Sequence, residues 1–464
     1  MSATQAHRNR TLALAGVLHA FTHAYQMALI PLYLAIQTFY GRAKVGDATL
    51  LVTAMLVAYF LPSYPMGMLA DRVSRKKLLS CGLAINALGF IGLALAPSYP
   101  MALACVIIAG FGGSFFHPAA TALVARLYPK NTGRALGFLG IGASVGFCIG
   151  PLYAGWRAKE TGDWRWPVCE LGILGLIFAG MFAWLADEHA ASDVSLSPQR
   201  GEGRGEGWER GEALEAQKSQ LHHHPSPSIP LPVEGRGKLD APRSSVPTRE
   251  PMFPTPALWF MFIAAAFIFL LRDFTGSSMG TVGSLFLQKA RGFDVEQTGF
   301  TISFIFIASA ISNPLFGHFS DRARLKWAAA MIIISAVFVA LFPHVPQPWI
   351  IPILLVYGFF FMASYPIVEA ALMESVPDAV RGRVFGLFIT IGGLLGNLSH
   401  WIDGKWVERF GEGANEVRTY YSLYGWLAVF LLASLAGLPC LHAIRKREEA
   451  VHPGSTHHAE PTAP

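Results

Sequence analysis

Hydrophobic residues occur in long runs along this 464-residue chain, separated by short polar stretches. Each run has roughly 20 residues, the length that a helix needs to cross about 30 Å of hydrocarbon. Because backbone N–H and C=O groups in lipid must be paired within the segment, we interpret the runs as transmembrane helices. The predicted helices cover residues 11–36, 48–70, 78–96, 100–127, 135–156, 167–186, 256–288, 296–318, 327–343, 348–374, 384–403 and 420–443.

The longest internal polar stretch separates the first six predicted helices from the last six. Residues 188–254 are rich in Gly, Pro and Ser and contain three adjacent histidines (residues 222–224). Such a composition cannot bury a core, so we expect a disordered cytoplasmic linker and no metal site at the histidines. The sequence therefore predicts an N-terminal six-helix bundle (1–187), the linker, a C-terminal six-helix bundle (255–447) and a disordered cytoplasmic tail (448–464).

The composition is that of a membrane protein, and the positions of the basic residues indicate its orientation. The chain is 53% hydrophobic and 14% charged, against about 25% charged residues in soluble domains. The net charge of +6 comes from basic residues that lie mostly in short loops on one side of the predicted membrane. The positive-inside rule explains them better than nucleic-acid binding and predicts that both termini are cytoplasmic. Five single cysteines show neither metal-ligand nor disulfide spacing.

A polar motif that follows the second predicted helix appears again in the second half of the chain. Gly67 is followed four residues later by Asp71-Arg72 and then by Arg75, and the distant copy has Gly317 followed by Asp321-Arg322. The first copy resembles the cytoplasmic signature of the major facilitator superfamily of secondary transporters, with Ser74 where a second glycine is usual. The second copy departs further, at Arg324 and Leu325.

This resemblance implies an all-α integral membrane fold of twelve transmembrane helices in two pseudo-symmetric six-helix bundles, with the substrate site between them. It also implies a gating role for the motif. Gly67 would let helix 2 approach helix 11, and Asp71 would lie at the positive N-terminus of helix 11. Asp321 would lie in the same way at the start of helix 5. The expected cytoplasmic gating residues are Gly67, Asp71, Arg72, Arg75, Gly317, Asp321 and Arg322.

Two further motifs narrow the resemblance. Residues 110–120 place a glycine cluster before Phe-His-Pro in helix 4, and together with residues 286–289 and 374–377 they resemble the fosmidomycin-resistance-protein branch of the superfamily. Helix 5 has small residues at four-residue spacing, a pattern that favours close helix packing and resembles the family's antiporter motif. Its members are Gly142, Gly146, Gly150, Pro151 and Gly155.

Ionisable side chains inside the predicted helices are the strongest functional indication, because such groups are costly in a bilayer. They lie in helices 1, 4, 7 and 10, the helices that line the central cavity in the family that the chain resembles. The candidate substrate or proton-pathway residues are His19, His23, His117, Arg272, Asp273 and Glu369.

Each candidate has an alternative interpretation. His19 and His23 share one helix face, and they suit either protonation near neutral pH or a structural role. Their spacing could also bind a metal ion, but their helix contains no third ligand. Arg272 suits an anionic substrate group, or it is neutralised by Asp273 or Glu369. Glu369 is our first choice for proton coupling, because burial favours the neutral form of a carboxyl group, and His23 is our second choice.

We predict a secondary transporter that exports a small organic molecule or drug in exchange for protons, by alternating access. The alternatives are a proton symporter that imports an organic acid or other metabolite, and a transporter-like membrane sensor. We expect no enzyme activity, no cofactor, no resident metal and no nucleic-acid partner. The expected partners are the substrate, protons and the lipid of the inner membrane, and we expect a monomer.

Overall fold

The computed structural model describes residues 3–41, 44–70, 72–129, 131–188, 252–320, 323–376 and 380–451. These residues form helices, short 3-10 turns and connecting loops, and no β-strand occurs among them. Most of the predicted linker and tail lies outside the described residues, as do Asp71, Asp321 and Arg322 of the predicted gating motif.

Twelve helical segments account for the predicted spans in the described part of the chain. The first, α1, covers Ala3–Ala28 and continues through Ile30–Leu32 and Tyr33–Phe39. Eleven others are long and apolar enough to cross a membrane. They are α2 (Val45–Ala70), α3 (Arg75–Leu95), α4 (Tyr99–Leu127), α5 (Thr132–Thr161), α6 (Arg165–Leu185), α7 (Pro256–Lys289), α8 (Val295–Asn313), α9 (Arg324–His344), α10 (Gln347–Glu374), α11 (Arg383–Arg409) and α12 (Val417–Arg447).

The predicted all-helical membrane fold is therefore confirmed, with two differences in the helix bounds. α1 does not reach the hydropathy of the other eleven, because Arg8, Arg10 and several polar side chains lie in its sequence. It begins at Ala3 rather than residue 11, and α11 ends at Arg409 rather than residue 403. Both extensions contain charged residues, which mark the edge of an apolar run but do not end a helix.

Several helices are interrupted near their middle. The breaks lie after Phe60 in α2, after Gly113 in α4, after Ile307 in α8 and after Gly396 in α11. In α4 the cause is Pro118, since a proline ring clashes with the carbonyl four residues earlier and the helix breaks at that position. Backbone groups freed in this way need new partners inside a membrane.

We call the end of the bundle where α1 begins and α12 ends the terminal face, and the other end the opposite face. Between the two faces, glycines allow neighbouring helices to pack with their main chains in direct contact. A Cβ on Gly142 or Gly146 of α5 would lie 2.1 Å from a main-chain oxygen of α1. Nearer the opposite face, a Cβ on Gly155 would lie 2.5 Å from the Val295 carbonyl of α8. The small-residue face of α5 is thus covered by α1 along one part and by α8 along another.

α2 approaches α11 near both of its ends. The segment Ser63–Ala70, which contains Gly67, packs beside the α11 segment Arg381–Gly396, and among the described residues a Cβ on Gly67 would meet Pro118 of α4 at 3.7 Å. At the start of α2, a Cβ on Gly404 of α11 would lie 2.8 Å from the Cα of Gly46. The two helices therefore meet most tightly at the opposite face.

Candidate functional site

Three histidines form a cluster between α1 and α4. His19 and His23 lie one turn apart in α1 and are buried, and His117 of α4 is the least buried of the three. The ring centroids of His19 and His117 are 5.3 Å apart, and those of His23 and His117 are 5.7 Å apart. The third imidazole that α1 lacks is thus supplied by α4, and one ring nitrogen from each histidine lies within 4.8 Å of the others.

Hydrogen bonds connect two of these rings into a short chain. The Nδ1 atom of His19 lies 2.8 Å from the carbonyl oxygen of Leu139, and the Nε2 atoms of His19 and His23 lie 3.1 Å apart. The Nδ1 atom of His23 lies 2.9 Å from Oε1 of Gln26. The Leu139 carbonyl accepts a hydrogen bond from His19, and the Gln26 amide at the other end can either accept or donate. Two neutral imidazoles satisfy the chain when the Gln26 amide donates to His23, and one additional proton is needed when its oxygen accepts.

Aromatic rings enclose the histidine cluster. Phe116 stacks on His19 with centroids 4.6 Å apart, and Phe147 of α5 packs on His23 at 4.1 Å. Phe147 also stacks on Phe306 of α8 at 5.2 Å, which brings the second half of the chain against the cluster. The cluster is therefore positioned by residues from both halves.

The second group of charges lies between α7 and α10. Arg272 is only 1% exposed, and its Nε and Nη2 atoms donate to Oδ1 of Asp273 over 3.0 and 2.9 Å. Its Nη1 atom donates to the Ser364 carbonyl over 3.4 Å, and Tyr365 places its ring centroid 4.0 Å from the guanidinium carbon. Arg272 is thus held by its neighbour Asp273, as one of the two interpretations from the sequence expected.

Glu369 adds a second carboxyl group to the same region. It is half-buried, one turn after Tyr365 along α10, and interacts electrostatically with both Arg272 and Asp273. Asp273 in turn packs on the glycines of α11, where a Cβ on Gly392 would lie 2.5 Å from its carboxylate. Two carboxyl groups therefore share one guanidinium, and a proton can neutralise whichever carboxyl group is not paired.

Sequence reasoning missed a third polar group, in α11. Asp403 is 0% exposed, and His400 one turn earlier is 3% exposed. The Nδ1 atom of His400 lies 2.5 Å from the Thr281 hydroxyl of α7 and 3.4 Å from the Tyr33 hydroxyl. Because the predicted helix 11 ended at residue 403, both residues were placed at the membrane edge.

The first gating motif has a local structural role in the described residues. Ser74 caps α3 by accepting a hydrogen bond from the Lys77 amide, and its hydroxyl donates to Glu188 over 2.6 Å. Serine at the position where the family pattern has glycine therefore ties the motif to the end of α6. Arg72 is exposed and Arg75 is half-buried, and Gly317 lies in the helix Ser309–Phe319.

Among the described residues, hydrogen bonds between the two halves lie mainly toward the opposite face. Thr53 of α2 donates to the Asn397 carbonyl over 3.2 Å and accepts from the Trp401 amide over 3.0 Å, so it fills the break in α11. Further contacts join α5 to α8, α2 to α11 and α1 to α7. They include Lys159–Glu296 at 2.7 Å, Ser303–Cys148 at 2.9 Å, Gly46–Glu408 at 2.7 Å, Ser284–Ile30 at 2.7 Å and Gln288–Pro31 at 3.1 Å.

Comparison with known families identifies the fold. The family model described as Major Facilitator Superfamily matches residues 12–399, which cover eleven of the twelve helices at least in part. This chain belongs to the Major Facilitator Superfamily. The predicted fold class, with two pseudo-symmetric six-helix bundles, is confirmed, and members of this family are membrane transporters rather than enzymes.

Curated relatives of this superfamily member match over parts of their length. The chain is 31% identical over 152 residues to the "Uncharacterized MFS-type transporter Rv1250" of Mycobacterium tuberculosis, covering 32% of this chain and 26% of that protein. It is 33% identical over 141 residues to "Multidrug resistance protein MdtH" of Cronobacter sakazakii, covering 30% of this chain and 34% of that protein. The aligned part therefore spans about a quarter to a third of these relatives.

A solved structure matches the superfamily member over almost its whole length. It is a bacterial homolog of the human lysosomal transporter Spinster in an inward-facing and unoccupied conformation, with a TM-score of 0.64, 15% identity and coverage of 98% of this chain and 99% of that chain. At this identity the match shows the fold alone. Together with the family match, the fold shows a multi-pass membrane protein of a transporter family.

Proposed function

We propose that this transporter exports a small organic molecule or drug across the cytoplasmic membrane in exchange for protons, by alternating access. The hydrogen-bonded pair of His19 and His23 carries the proposal, because two neighbouring imidazoles inside the membrane region can bind a proton and pass it on. The relatives named as multidrug resistance proteins favour export of the substrate.

The terminal face is the cytoplasmic face in this proposal. Basic residues concentrate in the loops of that face, which the positive-inside rule assigns to the cytoplasm. The hydrogen bonds between the halves lie mainly toward the opposite face, so the structure corresponds to the state that is closed to the outside. Separation of these contacts, together with closure of the terminal face, would give the outward-open state.

Glu369 couples proton movement to substrate movement in this mechanism. When Arg272 is paired with Asp273, Glu369 is the carboxyl group without a counter-charge and holds a proton. A substrate that enters between the halves changes this balance and releases the proton. His23 receives or supplies the proton on the side of α1 and α4, where His117 is the least buried of the three histidines.

The resemblance of residues 110–120 to the fosmidomycin-resistance branch favours a phosphonate antimetabolite as one substrate to test. Asp273 and Ser364 occupy three of the five N–H donors of Arg272, so a phosphonate would bind to the remaining two or displace these partners. A substrate without an anionic group would leave the Arg272–Asp273 pair intact. The first experiment therefore compares both kinds of compound.

The test uses purified protein in liposomes with a trapped pH dye and a panel of cationic drugs, phosphonate antimetabolites and organic acids. We expect wild-type protein to move protons in the direction opposite to at least one compound, and Glu369→Gln and His23→Asn to lose this proton flux. Glu374→Gln and His344→Asn are the controls, because Glu374 pairs with Arg324 at 2.7 Å and His344 packs on Tyr421, away from the site. Flux of both species in the same direction would establish a symporter, and binding without flux would establish a sensor.

A further inference from the structure

Asp403 of α11 is a fully buried carboxyl group for which the described contacts provide no partner. Both of its oxygens are buried, and neither makes a hydrogen bond with acceptable geometry. In the described part of the chain no basic side chain lies within ion-pair distance of it. An ionised carboxylate in this position would have neither water nor a counter-charge, a state that proteins avoid.

The groups that surround Asp403 are neutral or already paired. Tyr33 of α1 and Tyr424 of α12 interact with it electrostatically, and the Ser278 hydroxyl of α7 lies beside it. His400 directs Nδ1 to Thr281 and Tyr33 instead.

Two basic residues near Asp403 are paired with other groups. Lys405, two residues later in α11, pairs with Glu408 at 3.1 Å. Arg291, which interacts electrostatically with Tyr424, donates to the carbonyls of Pro343 and Val345 over 3.0 and 2.8 Å. Hydroxyl groups that can still donate or accept a hydrogen bond are suitable neighbours for a protonated carboxylic acid, because its O–H needs an acceptor and its carbonyl needs a donor.

We propose that Asp403 binds a proton and forms a second proton site of the transport cycle, which exchanges protons with the outside when the opposite face opens. The proposal rests on the proton-coupled function proposed above. Asp403 lies six residues before the end of α11 at the opposite face, about 9 Å along the helix axis. Glu369 lies five residues before the end of α10 at the terminal face, so the two carboxyl groups lie toward opposite ends of the bundle.

Polar groups along the α7–α11 contact connect the two regions. Asp273 packs against Gly392 and Gly396, and four residues later the Ser277 hydroxyl donates to Oδ1 of Asn397 over 3.1 Å. Ser278 follows beside Asp403. These groups provide a route for a proton from the outside to the Arg272–Asp273–Glu369 region.

The hydrogen bonds that close the opposite face also cover Asp403. The next residue, Gly404, touches Gly46 and Thr49 of α2, and Thr53 bridges the break in α11 just before His400. Separation of α2 from α11 would therefore hydrate the Asp403 carboxyl group. In water the acid releases its proton, and reclosing is favoured only after a proton returns.

Infrared spectroscopy of the purified full-length protein tests the protonation directly and needs no substrate. We expect the wild-type spectrum at neutral pH to contain the carbonyl stretch of a protonated carboxylic acid, and this band to be reduced in Asp403→Asn. Glu408→Gln is the matched control, since Glu408 lies on the same helix and is paired with Lys405, and it should leave the band unchanged. An unchanged band in Asp403→Asn overturns the proposal, and a thermal stability that then rises with Na⁺ would assign the carboxylate to a metal cation instead.

A second measurement covers the case in which Asp403→Asn does not fold. Wild-type protein is treated with dicyclohexylcarbodiimide, which reacts with protonated carboxyl groups in apolar surroundings, and the label is located by peptide mass spectrometry. Label on Asp403 supports the proposal, and label confined to other carboxyl groups overturns it.

Transport assays separate this proposal from the proposed function. In liposomes, Asp403→Asn should lose uphill transport driven by a pH gradient and keep substrate–substrate exchange, which needs no net proton movement. Full uphill transport by Asp403→Asn overturns the role of Asp403 while the antiport function stands. Absence of proton flux in the wild-type protein would refute the antiport function, whereas the infrared result on Asp403 would still decide its protonation.

Discussion

Gly146 of α5 lies so close to the main chain of α1 that even a methyl group has no room. A Cβ at this position would lie 2.1 Å from the Ala20 carbonyl oxygen and 2.9 Å from the Ala20 Cα. Real Cβ contacts essentially never fall below 3.0 Å. The neighbouring atoms belong to a helix backbone and cannot rotate away, so Gly146→Ala must push α1 and α5 apart by about 1 Å.

The expected loss of stability follows from this displacement. Overpacking of a well-packed contact costs about 1–3 kcal/mol. Gly140 is the matched control, because it lies in the same helix and a Cβ there would have nothing within 4 Å. Gly140→Ala should be neutral or stabilising, since alanine is favoured over glycine in a helix by up to about 1 kcal/mol. Because the gain in helix propensity is common to both variants, they should differ by about 1–3 kcal/mol, the cost of the overpacking.

The assay is reversible unfolding of the purified protein in mixed micelles with increasing SDS, followed by the fluorescence of its tryptophans. The free energy of unfolding should fall for Gly146→Ala and stay level or rise for Gly140→Ala. Equal free energies for the two variants would show that the α1–α5 contact is looser than the structure has it, and the argument from close main-chain packing would be refuted.

Two further predictions concern charged groups. Asp273→Asn leaves Arg272, which is 1% exposed, without its paired carboxylate, and the free energy of unfolding in the same SDS assay should fall by about 3 kcal/mol. The double variant Arg272→Met/Asp273→Asn should recover most of this loss. An equal loss in both variants would contradict the ion pair. Desolvation acts to raise the pKa of Asp294, but hydrogen bonds from the Gln297 amide and Lys159 outweigh it, so the pKa lies below its usual range. Its stabilising contribution should thus be present above about pH 4 and lost as the pH falls through the lowered pKa. Melting temperatures between pH 3 and 6 should show this loss, and Lys159→Met should show less of it; an equal loss in both proteins would exclude the pair as its source.

Resemblance and helix position were sufficient to find the residues of the central region, but not their partners. His19, His23 and His117 were selected because they are ionisable residues in predicted helices 1 and 4. That the three imidazoles meet was not predictable, because their contact depends on how α1 packs against α4. In the same way, the sequence offered two candidate partners for Arg272, and the packing of α7 against α10 and α11 determines that Asp273 is the one that pairs with it.

Asp403 shows where reading hydropathy along the chain fails. Its neighbours His400, Lys405 and Glu408 lower the local hydropathy, so the predicted helix ended at residue 403. The helix continues because His400 finds partners on α1 and α7 and Glu408 finds one on α2, and these partners lie more than 100 residues away in the sequence. A polar helix end and a buried polar helix face look alike until the neighbouring helices are in place.

The sequence by itself determined that this chain crosses a membrane many times and that it is built from two similar halves. The physical reason is that lipid forces each apolar run of sufficient length into a helix, whatever surrounds it. The tertiary structure alone decided which glycines touch which backbone and which charges are paired. These properties depend on atoms within about 4 Å of each other, and only the packing of the twelve helices brings those atoms together.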